Sequence, residues 1–234
     1  MLEIIVETLE DAIAAETGGA DRLDLKADYP NGGLTPNLST IDRVCEAVAI
    51  DVLVMVRPRS GDFIYDKHEL NTMYKTIASV KRKRIAGFLL GALSPDGTLN
   101  EEALKNFIYF ASPKKIHVHL SWEETKDKEA ALKKLIELGV KSVRITGGTG
   151  LGEKATDFLE TLKYYQETYG KKIELVLAGG LDVKNIAPLI MTTHIPHAHV
   201  GTGVRTPRNV HGRTDARKVQ EFKSQYDLAR EKFL

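Results

Sequence analysis

Leu2-Glu3-Ile4-Ile5-Val6-Glu7-Thr8-Leu9-Glu10 begins the chain with a β-branched run that enters a polar turn containing no glycine. An open doubly wound sheet normally places a G-x-G-x-x-G turn after its first strand, where a helix N-terminus meets a pyrophosphate. The missing glycines point instead to a closed barrel, if the strand–helix rhythm recurs often enough. It recurs eight times. Short apolar runs at 2–6, 22–26, 52–56, 87–90, 115–120, 142–146, 173–178 and 198–200 read as strands. Amphipathic segments at 10–17, 39–48, 68–83, 101–110, 128–138, 154–169, 183–191 and 215–233 read as helices, with Ser39 a suitable cap for the second. Alternating βα units imply a parallel sheet covered by helices. Eight units in 234 residues predict an α/β chain folded as one (β/α)8 TIM barrel over residues 1–234.

Charge excludes some functions. Lys plus Arg total 33 and Asp plus Glu 32, a net charge of +1 that lacks the basic excess of a nucleic-acid binder. The basic run at 81–84 reads as a solvated helix end. Cys45 is the only cysteine, so no intrachain disulfide and no cysteine-rich metal site is expected. No apolar run approaches a spanning helix, and the first residues lack the basic and apolar regions of a signal peptide. A cytoplasmic protein is expected, with no membrane and no nucleic-acid partner.

Barrel chemistry sits at the carboxyl ends of the strands and in the loops that follow. Side-chain parity sorts the candidates. Glu3, Ile5 and Glu7 share one face of the first strand; Asp24 and Lys26 share one of the second. Met55, Arg57 and Arg59 share parity, as do His117, His119 and Ser121, and His197 and His199. Glu7, Asp24, Arg57 and His119 therefore form the expected catalytic set. They would supply carboxylates for acid–base work, an imidazole that titrates near neutral pH and a guanidinium fork for an anion. For each alone, a satisfied rim or interior polar group is the equal alternative. Glycine-rich loops follow strands six, seven and eight. With Arg59, their Gly148, Gly179, Gly180, Gly201 and Thr202 are expected to hold a phosphate or carboxylate; plain turn chemistry is the alternative. His117 and His119 form an H-x-H pair whose third metal ligand would come from Asp24 or His199, and Cys45 is the other metal candidate.

Several segments together resemble the copper homeostasis protein CutC family over nearly the whole chain. They include Gly18-Gly19-Ala20-Asp21-Arg22, Gly32-Gly33-Leu34-Thr35-Pro36, Val54-Met55-Val56-Arg57-Pro58-Arg59 with Gly61-Asp62-Phe63, and His199-Val200-Gly201-Thr202-Gly203-Val204-Arg205. The resemblance implies a (β/α)8 barrel, a role in copper homeostasis and copper as the bound metal. Two departures stand out. The cysteines suggested as Cu(I) ligands in some members are absent, since Cys45 falls in a predicted helix. The family's His-Arg-Ala-Phe-Asp reads His119-Leu120-Ser121-Trp122-Glu123 here. Three functions follow as expectations: copper handling in the cytosol; a barrel enzyme acting on a small phosphorylated or carboxylated substrate; or a non-catalytic scaffold. A second copy of the chain is a candidate partner.

Overall fold

The computed structural model describes residues 1–232. Eight parallel strands close into a barrel in sequence order: β1 (Leu2–Val6), β2 (Arg22–Leu25), β3 (Asp51–Met55), β4 (Gly87–Leu90), β5 (Lys115–Val118), β6 (Ser142–Ile145), β7 (Glu174–Leu177) and β8 (Ala198–Val200). Closure comes from β8 pairing back onto β1, with Glu3 opposite His199. The helices α1 (Leu9–Thr17), α2 (Leu38–Ala47), α3 (Lys67–Val80), α4 (Glu101–Ala111), α5 (Lys128–Glu137), α6 (Leu159–Tyr169), α7 (Ile186–Thr193) and α8 (Ala216–Glu231) alternate with them.

Alternation along the strands builds two interiors. Leu2, Ile4 and Val6 of β1, and Leu23 and Leu25 of β2, join helix residues such as Ala12, Ile41 and Val44 in one apolar layer. Glu3, Asp24, His117, Ser142 and Arg144 have the opposite parity, are equally buried and lie outside that layer. Polar side chains thus share the barrel interior with apolar ones such as Ile5, Leu53, Met55 and Leu89, while the main hydrophobic core lies between barrel and helices.

Local chemistry sets most boundaries. Asp66 caps α3 in a reciprocal box with Glu69. The second helix starts at Leu38 and is capped by Asn37, whose Oδ1 accepts from Thr40 N–H; this corrects the expected Ser39 cap, because the earlier amide satisfies the same orphan donor. The sixth helix starts at Leu159 rather than 154, since residues after β6 form a loop and a short 3-10 turn (Ala155–Asp157). The seventh covers 186–193 rather than 183–191, because Asp182 accepts from the N–H groups of Lys184 and Asn185 in a turn before it. The fifth strand ends at Val118, and His119 starts a 3-10 turn, Leu120–Glu124. A two-stranded hairpin between β8 and α8, β9 (Arg205–Thr206) with β10 (Arg213–Thr214), went unread because two-residue strands carry no periodicity. Of the predicted last helix, Phe233 lies outside the described residues. No described helix is long and apolar enough to cross a membrane.

Candidate functional site

A cavity of about 410 Å³ opens at the carboxyl ends of the strands. That is the size of a small-molecule site. Ile5, Met55, Leu89 and Ala178 give it apolar walls, and Arg57, His119, Arg144 and His199 line it with polar atoms. Tyr29, Phe63 and Leu151 belong to the loops around it, with Lys26 and Lys154 bringing ammonium groups.

Below the mouth the barrel holds a charge network centred on Glu3. Arg22 Nε lies 2.6 Å from Glu3 Oε2, Arg144 Nε lies 3.0 Å from Oε1, and His199 Nδ1 lies 2.7 Å from Oε1. Burial alone would raise this carboxyl, but Arg144 and Arg22 hold it well below the usual range, so it is a fixed anion. His199 is itself neutral near pH 7, because burial lowers it below its ordinary value despite the Glu3 carboxylate. A neutral ring that donates Nδ1–H to a carboxylate carries its lone pair on Nε2. That Nε2 stands 3.9 Å from Asp24 Oδ2, too far for a hydrogen bond. Asp24 is paired at 2.7 Å with Lys26.

His119 has the opposite tautomer. The Ser121 N–H donates to its Nδ1, which puts the ring proton on Nε2, and that N–H is buried without a partner. Burial, with the fields of Arg57 and Lys26, lowers His119 well below its ordinary value, so the ring is neutral. Its turn exists because position 91 is glycine: a Cβ there would stand 2.0 Å from Ser121 Oγ and 2.9 Å from His119 Cε1.

Arg57 is the most unusual group. It is 3 % exposed, yet no carboxylate of the described residues comes within ion-pair distance of it. Its Nη2 donates to Gly61 O at 2.6 Å, Nη1 reaches Gly33 O and Asn31 O at 3.4 Å, and the group stacks on Phe63 at 4.7 Å. Its Nε has no partner.

The cavity brings together Arg57, His119, Gly179, Gly180, Gly201 and Thr202 of the expected set. The others lie outside its lining. Glu7 accepts from Tyr29 N–H and Arg205 Nη1, tying the end of β1 to two loops. The Arg59 guanidinium bonds Glu69 and Asp62. The Gly148 N–H donates to Thr146 Oγ1 within its own loop. Sequence reasoning passed over Lys26, Arg144 and Lys154 as site residues, and took His199 only as a possible metal ligand. The signal for Arg144 was the alternation Ser142, Arg144, Thr146; Lys154 was hidden by its placement in a predicted helix.

Glycine at 179 is required twice. Its φ is +88°, and a Cβ would stand 2.3 Å from the Glu153 carbonyl oxygen. Gly179→Ala is expected to lower unfolding free energy by about 1–3 kcal/mol in urea titrations, or more if the loop cannot shift. Glu123 pins the preceding loop by accepting from Thr146 N–H, Thr146 Oγ1–H and Gly147 N–H. Burial outweighs those bonds and pushes its carboxyl up to about 7. A raised acid favours folding while protonated, so its contribution falls as pH rises from about 4.5 to 7. Glu123→Gln is expected to flatten that part of the stability–pH curve, by up to about 3 kcal/mol.

Copper finds poor ligands here. Cys45 is buried on α2, and burial pushes its thiol up, away from the thiolate that copper needs. His117 Nδ1 pairs with Ser142 Oγ at 2.7 Å, and His119 Nε2 bears a proton where a ligand needs a lone pair. No group of three or more His, Cys, Asp or Glu among the described residues could hold a metal ion.

A family model described as the CutC family matches residues 1–204. The chain belongs to the CutC family. A CutC family protein of Mesorhizobium japonicum is 32 % identical over 85 % of this chain and 76 % of its own length. The human protein named copper homeostasis protein cutC homolog is 31 % identical over 81 % of this chain and 68 % of its own. The solved structure of CutC from Streptococcus agalactiae superposes with a TM-score of 0.81 at 24 % identity, covering 86 % of this chain and 97 % of that one. Phosphoribosylanthranilate isomerase from Thermotoga maritima shares the fold alone, with a TM-score of 0.66 at 14 % identity over 97 % of this chain and 98 % of that one. CutC membership agrees with the barrel, and leaves its mouth chemistry to be read from these residues.

Proposed function

We propose that this CutC-family chain takes part in copper homeostasis, as its human and mouse relatives are named, by binding a small phosphorylated or carboxylated molecule in the barrel mouth. Side chains of this chain do not ligate copper directly in this reading. Arg57 is the observation that supports it: a buried guanidinium with no carboxylate of the described residues in ion-pair distance lines the cavity. Burying an unpaired cation is unfavourable unless a ligand completes it. Lys154 and the backbone of Gly179 and Gly180 lie on the same cavity. A cytoplasmic setting belongs to the same reading, supported by the unpaired thiol of Cys45.

Two titrations test it together. Inorganic phosphate, pyruvate and citrate are added to the purified protein in calorimetry, and Cu(I) is added anaerobically against a chromophoric competitor. Saturable anion binding is expected, with no stoichiometric copper uptake. Tight Cu(I) binding abolished by Cys45→Ser or His119→Ala would replace this reading with direct copper handling.

A barrel enzyme is the more specific form of the reading, and the two imidazoles favour it. They present opposite faces to one cavity, a bare Nε2 on His199 and an Nε2–H on His119.

A further inference from the structure

Resting on the anion-binding reading, we infer that His199 is the base and His119 the hydrogen-bond donor of an enolisation site for a small carbonyl compound bearing a phosphate or carboxylate. Three observations converge. The first is the fixing of His199 by Glu3. The carboxylate accepts from Nδ1 at 2.7 Å and is itself held by Arg22 and Arg144, so the imidazole cannot turn its lone pair away without breaking a buried charged hydrogen bond. This is the carboxylate–imidazole arrangement that sets the tautomer of a general base. The second is the fixing of His119 in the reverse sense by the Ser121 N–H, with its Nε2–H left unpartnered. A neutral imidazole N–H suits a carbonyl oxygen that becomes an enolate, because it donates a hydrogen bond without surrendering its proton. The third is the unpaired Arg57 on the same cavity, which supplies the cation for the anionic end.

The step balances without a co-reactant. The His199 Nε2 lone pair removes a proton from the carbon next to the carbonyl. The C–H electron pair becomes the new C=C bond, and the carbonyl π pair moves onto oxygen, where His119 Nε2–H and the neighbouring cations stabilise it. His199, now an imidazolium against Glu3, returns a proton to the carbon. In heavy water that returning proton has exchanged, so each turnover leaves a deuterium. Glu3 is a positioning residue in this scheme, since it acts only through His199. Asp24, the sequence candidate for a base, is paired with Lys26 and lies off the cavity lining.

Uniformly 15N-labelled protein tests the tautomers directly. Two-bond proton–nitrogen spectra at pH 7, assigned with His119→Asn and His199→Asn, should show two neutral rings: protonated Nδ1 on His199 and protonated Nε2 on His119. Pyruvate and dihydroxyacetone phosphate are then each incubated with the protein in heavy water, and α-deuterium is read by NMR. The wild-type chain should exchange at least one of them. His199→Asn, whose amide can still donate to Glu3, should lose at least 100-fold of that rate. Matching tautomers on the two rings, an imidazolium at either, or exchange no faster than in His199→Asn for both probes would each overturn the proposal. Absence of phosphate binding with the opposed tautomers present would strike at the anion reading, whereas phosphate binding without exchange would strike at the base alone.

Discussion

Arg57→Ala is expected to weaken phosphate binding at the mouth by about 10–100-fold while leaving the chain folded. The size follows from losing one charge-assisted hydrogen bond, about 1.5–3 kcal/mol. Stability should change less, for two opposed reasons. Alanine removes a buried cation that has no direct ion-pair partner among the described residues, which favours the folded chain. It also strands the Gly61 carbonyl and removes the stack on Phe63, which disfavours it. Arg57→Lys separates charge from geometry. A lysine keeps the cation but cannot span Gly61, Gly33 and a ligand together, so intermediate affinity is expected. Calorimetric titration beside a urea melt reads both quantities. Unchanged affinity in Arg57→Ala would mean that the anion is held elsewhere.

Replacing Glu3 should have the largest effect on stability. Glu3→Ala leaves Arg22, Arg144 and His199 without the carboxylate they share, and a loss of about 3–5 kcal/mol or complete failure to fold is expected. Glu3→Gln keeps the shape and one acceptor oxygen, so it should fold with a smaller loss. The pH dependence has a definite sign. Glu3 is held well below its ordinary value, so its stabilisation is present above about pH 4.5 and disappears as the pH falls through the folded value. Glu123 works in the reverse direction between about pH 4.5 and 7. Urea melts of both variants across pH 3–8 would separate the two carboxylates. A Glu3→Gln curve parallel to wild type in acid would show that Glu3 is not the residue whose protonation loosens the barrel.

The sequence reading succeeded where periodicity is strong. Strands at 2–6, 87–90 and 198–200 are reproduced to the residue, and parity correctly grouped Glu3 with Ile5 and His117 with His119. It lost accuracy where hydrogen bonds rather than hydrophobicity set the chain path. Lys154 sits in a loop because Gly150 and Gly152 adopt positive φ before it and Ala155 N–H bonds Gly179 O; a helical pattern continues through that region regardless. The site was legible as a list of strand-end polar residues, but parity alone cannot say which are already paired. Glu7 and Arg59 look equivalent to Arg57 in one dimension, and only their partners distinguish them. The tautomers were further out of reach, since each depends on one neighbour: a backbone N–H for His119, a carboxylate 196 positions away for His199.

That last separation has a kinetic meaning. Glu3 meets Arg144 and His199 across 141 and 196 positions of chain. A half-barrel of the first four strands would hold Glu3 with Arg22 alone, and one of the last four would hold Arg144 without its anion. The first half balances its charges with Glu3–Arg22 and Asp24–Lys26, but the second half holds Arg144 unneutralised, so the full charged centre forms only in the closed ring. Loop-closure entropy is met before that centre is complete. The buried charges thus tie the first strand to the sixth and the eighth, and this coupling favours opening of the ring as one unit over loss of a single half.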